Sequence, residues 1–384
     1  MTTPPPLDGL NPDQLDAVVH VGGPLLVVAG AGSGKTRVLT YRIAHLIGEH
    51  GVHPMRILAI TFTNKAADEM RERVAALVGP VAKGMWVSTF HSACVRFLRA
   101  HADLLGYPKS FSIYDQADAQ RLAGYVIRDL ALDPKRFTPR GVQGVISMWK
   151  NELVGPDQAT AQATNIFDRK HADIYREYQA RLVKAGAMDF DDLLMNTVLL
   201  LRRHPQVLEH YQDRFEHILV DEYQDTNVAQ NEIVLLLGAK HHNVCVVGDT
   251  DQSIYRFRGA DFRNILQFEA AFLSAPMTDQ HVRDVTTVVL DQNYRSTQTI
   301  LDAANAVIAQ NLGRTPKVLW TDVGPGERIV RYHAEDEGDE ATFVGRTLAS
   351  LHAEGRSWRE MAVFYRTNAQ SRVVEEALMR FGIP

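Results

Sequence analysis

The chain has 384 residues, 45% of them apolar and 23% charged, values that exclude a disordered or fibrous polypeptide and give volume for two to three domains with real cores. Forty-one Lys and Arg stand against 46 Asp and Glu, a net charge of −5, so bulk charge advertises no nucleic-acid partner and any such binding needs a local basic surface. The only two cysteines, Cys94 and Cys245, lie outside any C-x-x-C pair, which excludes a disulfide framework or cysteine-rich zinc site and suits a reducing cytoplasm. The amino terminus MTTPPPLDGLNPDQ has neither a basic nor an apolar leader region, and no apolar run approaches the ~18 residues of a membrane span. Neither secretion nor a membrane anchor is expected.

In chain order, LLVVAG (25–30) feeds AGSGKT and then TRVLTYRIAHLIGEH, whose apolar residues recur at helical spacing, giving strand, loop, helix. ILAITF (57–62), WVSTF (86–90), HILVDE (217–222) and VCVVGD (244–249) are further apolar runs, each followed by a helical pattern. Solid apolar strands alternating with helices predict a parallel sheet covered on both faces. Between Gly106 and Met188 the rhythm breaks, because ADAQRLAGYVIRDL and DIYREYQARLVKAG are helical in period and no strand stands out; this is read as an α-helical insertion. After SAPMTDQHVRD (274–284) alternation resumes with TTVVLDQN, STQTILDAANAVIAQN, ERIVRYHAE, DEATFVGRTLASLHAEG, MAVFYR and QSRVVEEALMRFG, so a second α/β unit is expected from residue 286.

Gly30, Gly32, Ser33, Gly34, Lys35 and Thr36 lie between a strand and a helix, where backbone N–H groups wrap phosphates and the helix dipole favours their charge. Lys35 would reach the β- and γ-phosphates and Thr36 would hold Mg²⁺. The strict pattern G-x-x-x-x-G-K-[ST] departs only at Ala29, where it asks for glycine. In ILVDEYQDT a strand delivers Asp221 and Glu222 at its carboxyl end, where ligands of open α/β sheets bind. Asp221 is assigned to Mg²⁺ and Glu222 to taking a proton from the attacking water. Asn64 and Lys65 resemble the N-K-x-D of guanine readers, but Ala67 fills the acidic position and disfavours that class.

These residues make the chain resemble the UvrD/Rep/PcrA family of superfamily 1 DNA helicases. LNPDQLDAV is similar to the family's Q motif, AGAGSGKT to motif I, TFTNKAADEM to Ia, STFHSACVRFLR to Ib, VDEYQDT to II, VVGDTDQSIYRFRGA to III, QNYRS to IV and YRTNAQSR to IVa, in family order. The resemblance implies a RecA-like P-loop parallel sheet with an α-helical insertion and the start of a second RecA-like domain: residues 1–105 and 190–285, 106–189, and 286–384, the last incomplete. It implies ATP-dependent translocation 3′ to 5′ on single-stranded DNA and duplex opening at junctions between single and double strands. On this sequence Gln14 then reads adenine, Arg37 neighbours base or ribose, Tyr294 stacks on adenine, Gln252 senses the γ-phosphate and Arg295 acts as an arginine finger. The ATP cradle runs through Ala29, Gly30, Ala31, Gly32, Ser33, Gly34, Lys35 and Thr36.

For DNA, Phe62, Tyr255 and Phe257 offer faces to unstacked bases, each stack being worth roughly 1–3 kcal/mol without choosing sequence. Thr63, Asn64, His91, Arg258, Tyr365, Arg366 and Asn368 are the candidates for phosphates or bases. At Phe257 the family often has tryptophan, which implies a smaller stacking surface. His91 with Cys94, and His241 and His242 with Cys245, lack the second pair of a tetrahedral zinc site and are read as structural or DNA-facing. The acidic run AEDEGDEA (334–341) reads as a solvated helix start.

Nothing resembles motifs V and VI, so the chain is expected to be the amino-terminal portion of a longer helicase of DNA repair or replication. The alternatives are a nucleotide and single-strand binding module without sustained turnover, or a subunit of a helicase–nuclease.

Overall fold

Each apolar run predicted as a strand before residue 291 forms one, and the helices between them cover both faces of the sheet. The computed structural model describes residues 7–255, 259–261, 263–273, 285–311 and 316–384, and the chain divides into two compact units, Met1–Gly324 and Pro325–Pro384.

The first unit runs α1 (Pro12–Val19), β1 (Leu25–Ala29), α2 (Lys35–Gly48), β2 (Ile57–Thr61), α3 (Asn64–Val78), β3 (Trp86–Thr89) and α4 (Phe90–His101). The insertion follows: β4 (Ser112–Tyr114), α5 (Gln116–Asp129), α6 (Pro139–Asn151), α7 (Pro156–Gln162), α8 (Ile166–Lys184) and β5 (Ala187–Asp189). The chain then returns through α9 (Phe190–Arg203), α10 (Pro205–Arg214), β6 (His217–Val220), α11 (Val228–Gly238), β7 (Val244–Gly248), α12 (Arg263–Leu273), β8 (Thr286–Leu290) and α13 (Gln298–Ile308).

Six strands make one parallel sheet in the order β3-β2-β6-β7-β1-β8. Alternate residues of each strand enter different cores, as the period of two requires. Leu25, Val27 and Ala29 join α2 and α3 on one face, while Leu26 and Val28 join α4, α9 and α11 on the other. Because both faces are dry, the strands carry no polar alternation, which is why they read as blocks in the sequence.

Three expectations change. The insertion contains a short parallel ladder at its base, β4 on β5 from Ser112↔Ala187 to Tyr114↔Asp189, too short to rise above the surrounding helical pattern. Residues 286–290, expected to open the second α/β unit, extend the first sheet: β8 runs parallel to β1 from Leu25↔Thr286 to Ala29↔Leu290 and takes up backbone groups that an edge β1 would leave unpaired. In the second unit, α14 (Glu337–Ala353) packs on α15 (Asn368–Arg380). The runs ERIVRYHAE and MAVFYR, expected as strands, form none; their backbone groups meet no neighbouring ladder, and Val330 is 78% and Phe364 93% exposed. A strand exists only where a partner strand pairs with it.

Candidate functional site

The candidate site lies at the carboxyl ends of β1, β6 and β7, where the loops that follow the strands meet. After β1 the chain turns through Gly32 (φ 69°) and Gly34 (φ 93°), left-handed positions that glycine adopts without strain. A Cβ on Gly34 would stand 2.7 Å from Gln14 Nε2, so this turn also needs the missing side chain. Ser33 Oγ donates to Gly30 O at 2.8 Å and closes the loop on itself. Helix α2 begins at Lys35, leaving its first N–H groups at the loop.

Gln14 is fully buried. Its side chain closes a capping box on Asn11, with Asn11 Oδ1 accepting from Gln14 N at 2.7 Å, and its Nε2 donates to Ser33 O at 2.9 Å. The amino-terminal helix is thereby tied to the phosphate loop. Arg37 sits one turn further, its guanidinium 5.4 Å from the Tyr41 ring centroid and beside Gly9.

β6 delivers Asp221 and Glu222. Glu222 Oε2 receives Lys35 Nζ at 2.6 Å and Gln224 Nε2 at 2.8 Å. Asp221 is buried, and its Oδ1 accepts the Glu222 N–H at 3.0 Å. Burial, and after it the Glu222 charge, pushes the Asp221 carboxyl up to about 6, with Lys35 opposing. Asp225, raised to about 6 by burial and then by Glu222, keeps a buried Oδ1 without a hydrogen-bond partner.

Gln224 continues the network, its Oε1 accepting the Asp249 N–H at 2.9 Å. Asp249 in turn accepts from Gln252 Nε2 at 2.6 Å. The turn after β8 completes the site: Asn293 Nδ2 donates to Ala31 O at 2.5 Å, and Tyr294 N donates to Gly32 O at 2.9 Å. Tyr294 OH and Asn11 Nδ2 both donate to Gln292 Oε1, at 2.8 and 3.0 Å. Arg295 is anchored through its backbone N–H to Asn293 Oδ1 at 2.8 Å, and its residue is exposed. The structure thus gathers Gln14, the loop from Ala29 to Arg37, Asp221, Glu222, Gln252, Tyr294 and Arg295 around one locus.

The donor set suits ATP with Mg²⁺. The loop ends at the head of α2, whose first N–H groups have no intrahelical partner, and the buried Asp225 Oδ1 is an acceptor without a hydrogen-bond partner. Among the described residues no group of three or more His, Cys, Asp or Glu converges as a metal site.

The expected DNA-facing residues are less concentrated. Phe62 and Tyr255 come together, ring centroids 4.9 Å apart, both partly exposed. Thr63 caps α3, its hydroxyl accepting the Ala66 N–H at 3.1 Å, and Asn64 is exposed in the first turn. His91 packs edge-on to Phe190 at 5.9 Å, and burial holds its imidazole below the usual value. Phe257 and Arg258 lie outside the described residues. Tyr365, Arg366 and Asn368 are exposed in the second unit, where Asn368 opens α15.

Sequence reasoning missed Asn11, Gln292 and Asn293 as site-building residues, and also Gln224 and Lys317. Lys317 Nζ meets Asp249 Oδ1 and Asp251 Oδ2, each at 2.5 Å. Its partners lie 68 and 66 positions away, and no local pattern marks it.

Among the described residues no helix is long and apolar enough to cross a membrane. Residues 10–273 match the model of the UvrD/REP helicase N-terminal domain and residues 288–384 that of the UvrD-like helicase C-terminal domain. The chain is 55% identical over 391 residues to the ATP-dependent DNA helicase UvrD1 of Mycobacterium tuberculosis, covering 98% of this chain and 49% of that protein. It is 50% identical over 378 residues to the ATP-dependent DNA helicase PcrA of Bacillus subtilis and to that of Staphylococcus aureus, covering 98% of this chain and 50% of each. The chain spans about half the length of the curated relatives it matches. With a RecA-like parallel sheet, a phosphate loop and two family models in tandem, the chain belongs to the UvrD/Rep family of helicases.

Proposed function

We propose that this chain forms the nucleotide-hydrolysing part of an ATP-dependent DNA helicase that moves 3′ to 5′ along single-stranded DNA and opens duplex at junctions, working in the cytoplasm in repair or replication. The observation that carries the reading is the Lys35–Glu222 contact at 2.6 Å. It brings the phosphate-loop lysine and the strand-end carboxylate to one point at the head of α2. The names of the relatives support ATP and DNA as substrates.

Lys35 offers its ammonium to the β- and γ-phosphates, leaving Glu222 free to accept a proton from water. Asp221 and Thr36 would hold Mg²⁺, which supplies neutralisation of phosphate charge. Gln14 and Tyr294 flank the loop where adenine would lie, and Arg37 stands next to them. Gln252, held by Asp249, presents its amide toward the γ-phosphate, and Arg295 adds charge as the leaving oxygens become negative. Gln252 is three residues from Tyr255, so γ-phosphate state can reach the Phe62–Tyr255 pair. Those two faces, together with Phe257 and the polar groups Thr63, Asn64, His91, Arg258, Tyr365, Arg366 and Asn368, are proposed to grip the strand.

The test is ATP binding and steady-state hydrolysis with and without oligo-dT, with Lys35→Ala as the blank. Binding and DNA-stimulated turnover, both lost in Lys35→Ala, are expected. Undiminished binding in Lys35→Ala would sink the site assignment. Saturable ATP and DNA binding without turnover would reduce the chain to a nucleotide and strand-binding module.

A further inference from the structure

The segment from Pro316 to Thr321 passes the candidate site in the first unit as a strap with one bridge, Trp320 to Gln292; its side chains reach the phosphate loop and the Asp249 turn, and its backbone meets the turn that carries Arg295. Leu319 lies over Gly30, where an ideal Cβ would fall 2.2 Å from Leu319 Cδ2. The Asn293 N–H donates to Trp320 O at 2.7 Å. Asn305 of α13 pins the strap from behind, its Nδ2 donating to Leu319 O at 2.8 Å and its Oδ1 accepting the Leu319 N–H at 3.1 Å.

Lys317 is the charged member of this strap. Its side chain is 2% exposed and its ammonium bridges two carboxylates that are 3% and 9% exposed. Two carboxylates this close in a water-poor site repel one another, and a buried ammonium between them offsets that repulsion and fixes both. Asp249 then has its Oδ1 on Lys317, its Oδ2 on the Gln252 amide and its backbone N–H on Gln224, whose own amide reaches Glu222.

We propose that Lys317 is a positioning residue for nucleotide recognition: by locking Asp249 and Asp251 it holds the Gln252 amide in the orientation that distinguishes a nucleoside triphosphate from a diphosphate. The inference rests on the reading of Gln252 as the γ-phosphate contact. Lys317 acts through Gln252 and touches no phosphate.

The experiment is a pair of dissociation constants for the 384-residue chain, for ADP and for a β,γ-imido ATP analogue, each with Mg²⁺. Their ratio reads the γ-phosphate contact without requiring turnover. The wild type is expected to prefer the triphosphate. Lys317→Met should lower that preference roughly tenfold, the scale of one hydrogen bond to a charged group, with ADP affinity nearly unchanged. Gln252→Ala should lower it equally, the double variant should lose no more than either alone, and Lys317→Arg should restore part of it. Should Lys317→Met fail to fold, Asp251→Asn, which keeps the turn and removes one anchor, should show the same loss in smaller degree. A preference lost in Gln252→Ala but intact in Lys317→Met, or equal weakening of both ligands, would overturn this inference alone. A wild type that binds both nucleotides without preference would overturn the Gln252 reading and this inference together. A wild type that binds neither would overturn the proposed function itself.

Discussion

Glu222 has φ 50°, a left-handed backbone that costs a non-glycine residue on the order of 1–2 kcal/mol. The strain turns the carboxylate away from the direction of β6 and onto Lys35, with Asp221 accepting the Glu222 N–H behind it. The Lys35 ammonium is therefore already occupied by a carboxylate that phosphate oxygens must displace. Glu222→Gln is expected to reduce hydrolysis by about 10²- to 10⁴-fold, the usual worth of a general base. It should also tighten ATP binding, because a neutral amide competes less for Lys35. Rapid-quench hydrolysis beside equilibrium binding checks both, and normal turnover would remove Glu222 as base. That Lys35, Asp221 and Glu222 meet was legible because each follows or ends an apolar strand inside a short polar string, and the sheet brings those strand ends together. Lys317, Gln292 and Asn293 were not, because what makes them part of the site is a partner far along the chain, and a lone Lys or Asn in sequence has many uses.

Helices and strands were legible where burial alone sets the pattern, as in β1, β2, β6 and β7. The insertion was legible as helical, but its attachment was not, because it is polar and buried. At the end of α6, Lys150 Nζ meets Asp189 Oδ2 at 2.7 Å and Asp192 Oδ1 at 2.8 Å, and Tyr178 OH donates to Asp189 Oδ2 at 2.8 Å. Next to it Asn151 Oδ1 accepts from Asn227 Nδ2 at 2.5 Å, and Asn151 Nδ2 donates to Asp191 Oδ1 at 3.0 Å. Lys150 is wholly buried, so Lys150→Met leaves carboxylates in a dry pocket without their cation and should cost about 3–5 kcal/mol near neutral pH. Burial, and then the Asp189 charge, pushes the Asp192 carboxyl up to about 6 from an ordinary 3.8. A raised carboxyl favours the folded state below its unfolded value, and that contribution is lost as pH rises through about 6. Protonation of Asp192 relieves the variant, so its deficit should shrink between pH 7 and pH 5. Urea unfolding at the two pH values measures this, and a deficit that grows on acidification would contradict the charge account.

At the scale of the molecule, the two units differ in how much they bury. The first carries two continuous cores on the faces of one sheet and a third within the insertion. In the second, α14 and α15 bury small residues against each other, such as Ala341 and Ala377, while Val330, Phe364 and Met379 stay exposed. The tandem of α/β units was expected from alternation, and alternation alone could not locate the change of unit: β8 reads as the start of something new yet completes the older sheet. Hydrophobic period reports that a strand will be covered, and the identity of the covering strand is a tertiary fact. Residues 1–324 carry three buried cores of their own, so this unit is expected to unfold cooperatively. A chain ending at Gly324 is expected to melt in a single two-state transition followed by circular dichroism. Amide exchange should agree: β1, β2, β6 and β7 should open only with global unfolding, while 327–334 and 361–365, which form no ladder, should exchange almost at once. Two resolved transitions in the chain ending at Gly324, or strong protection in those two runs, would contradict this account.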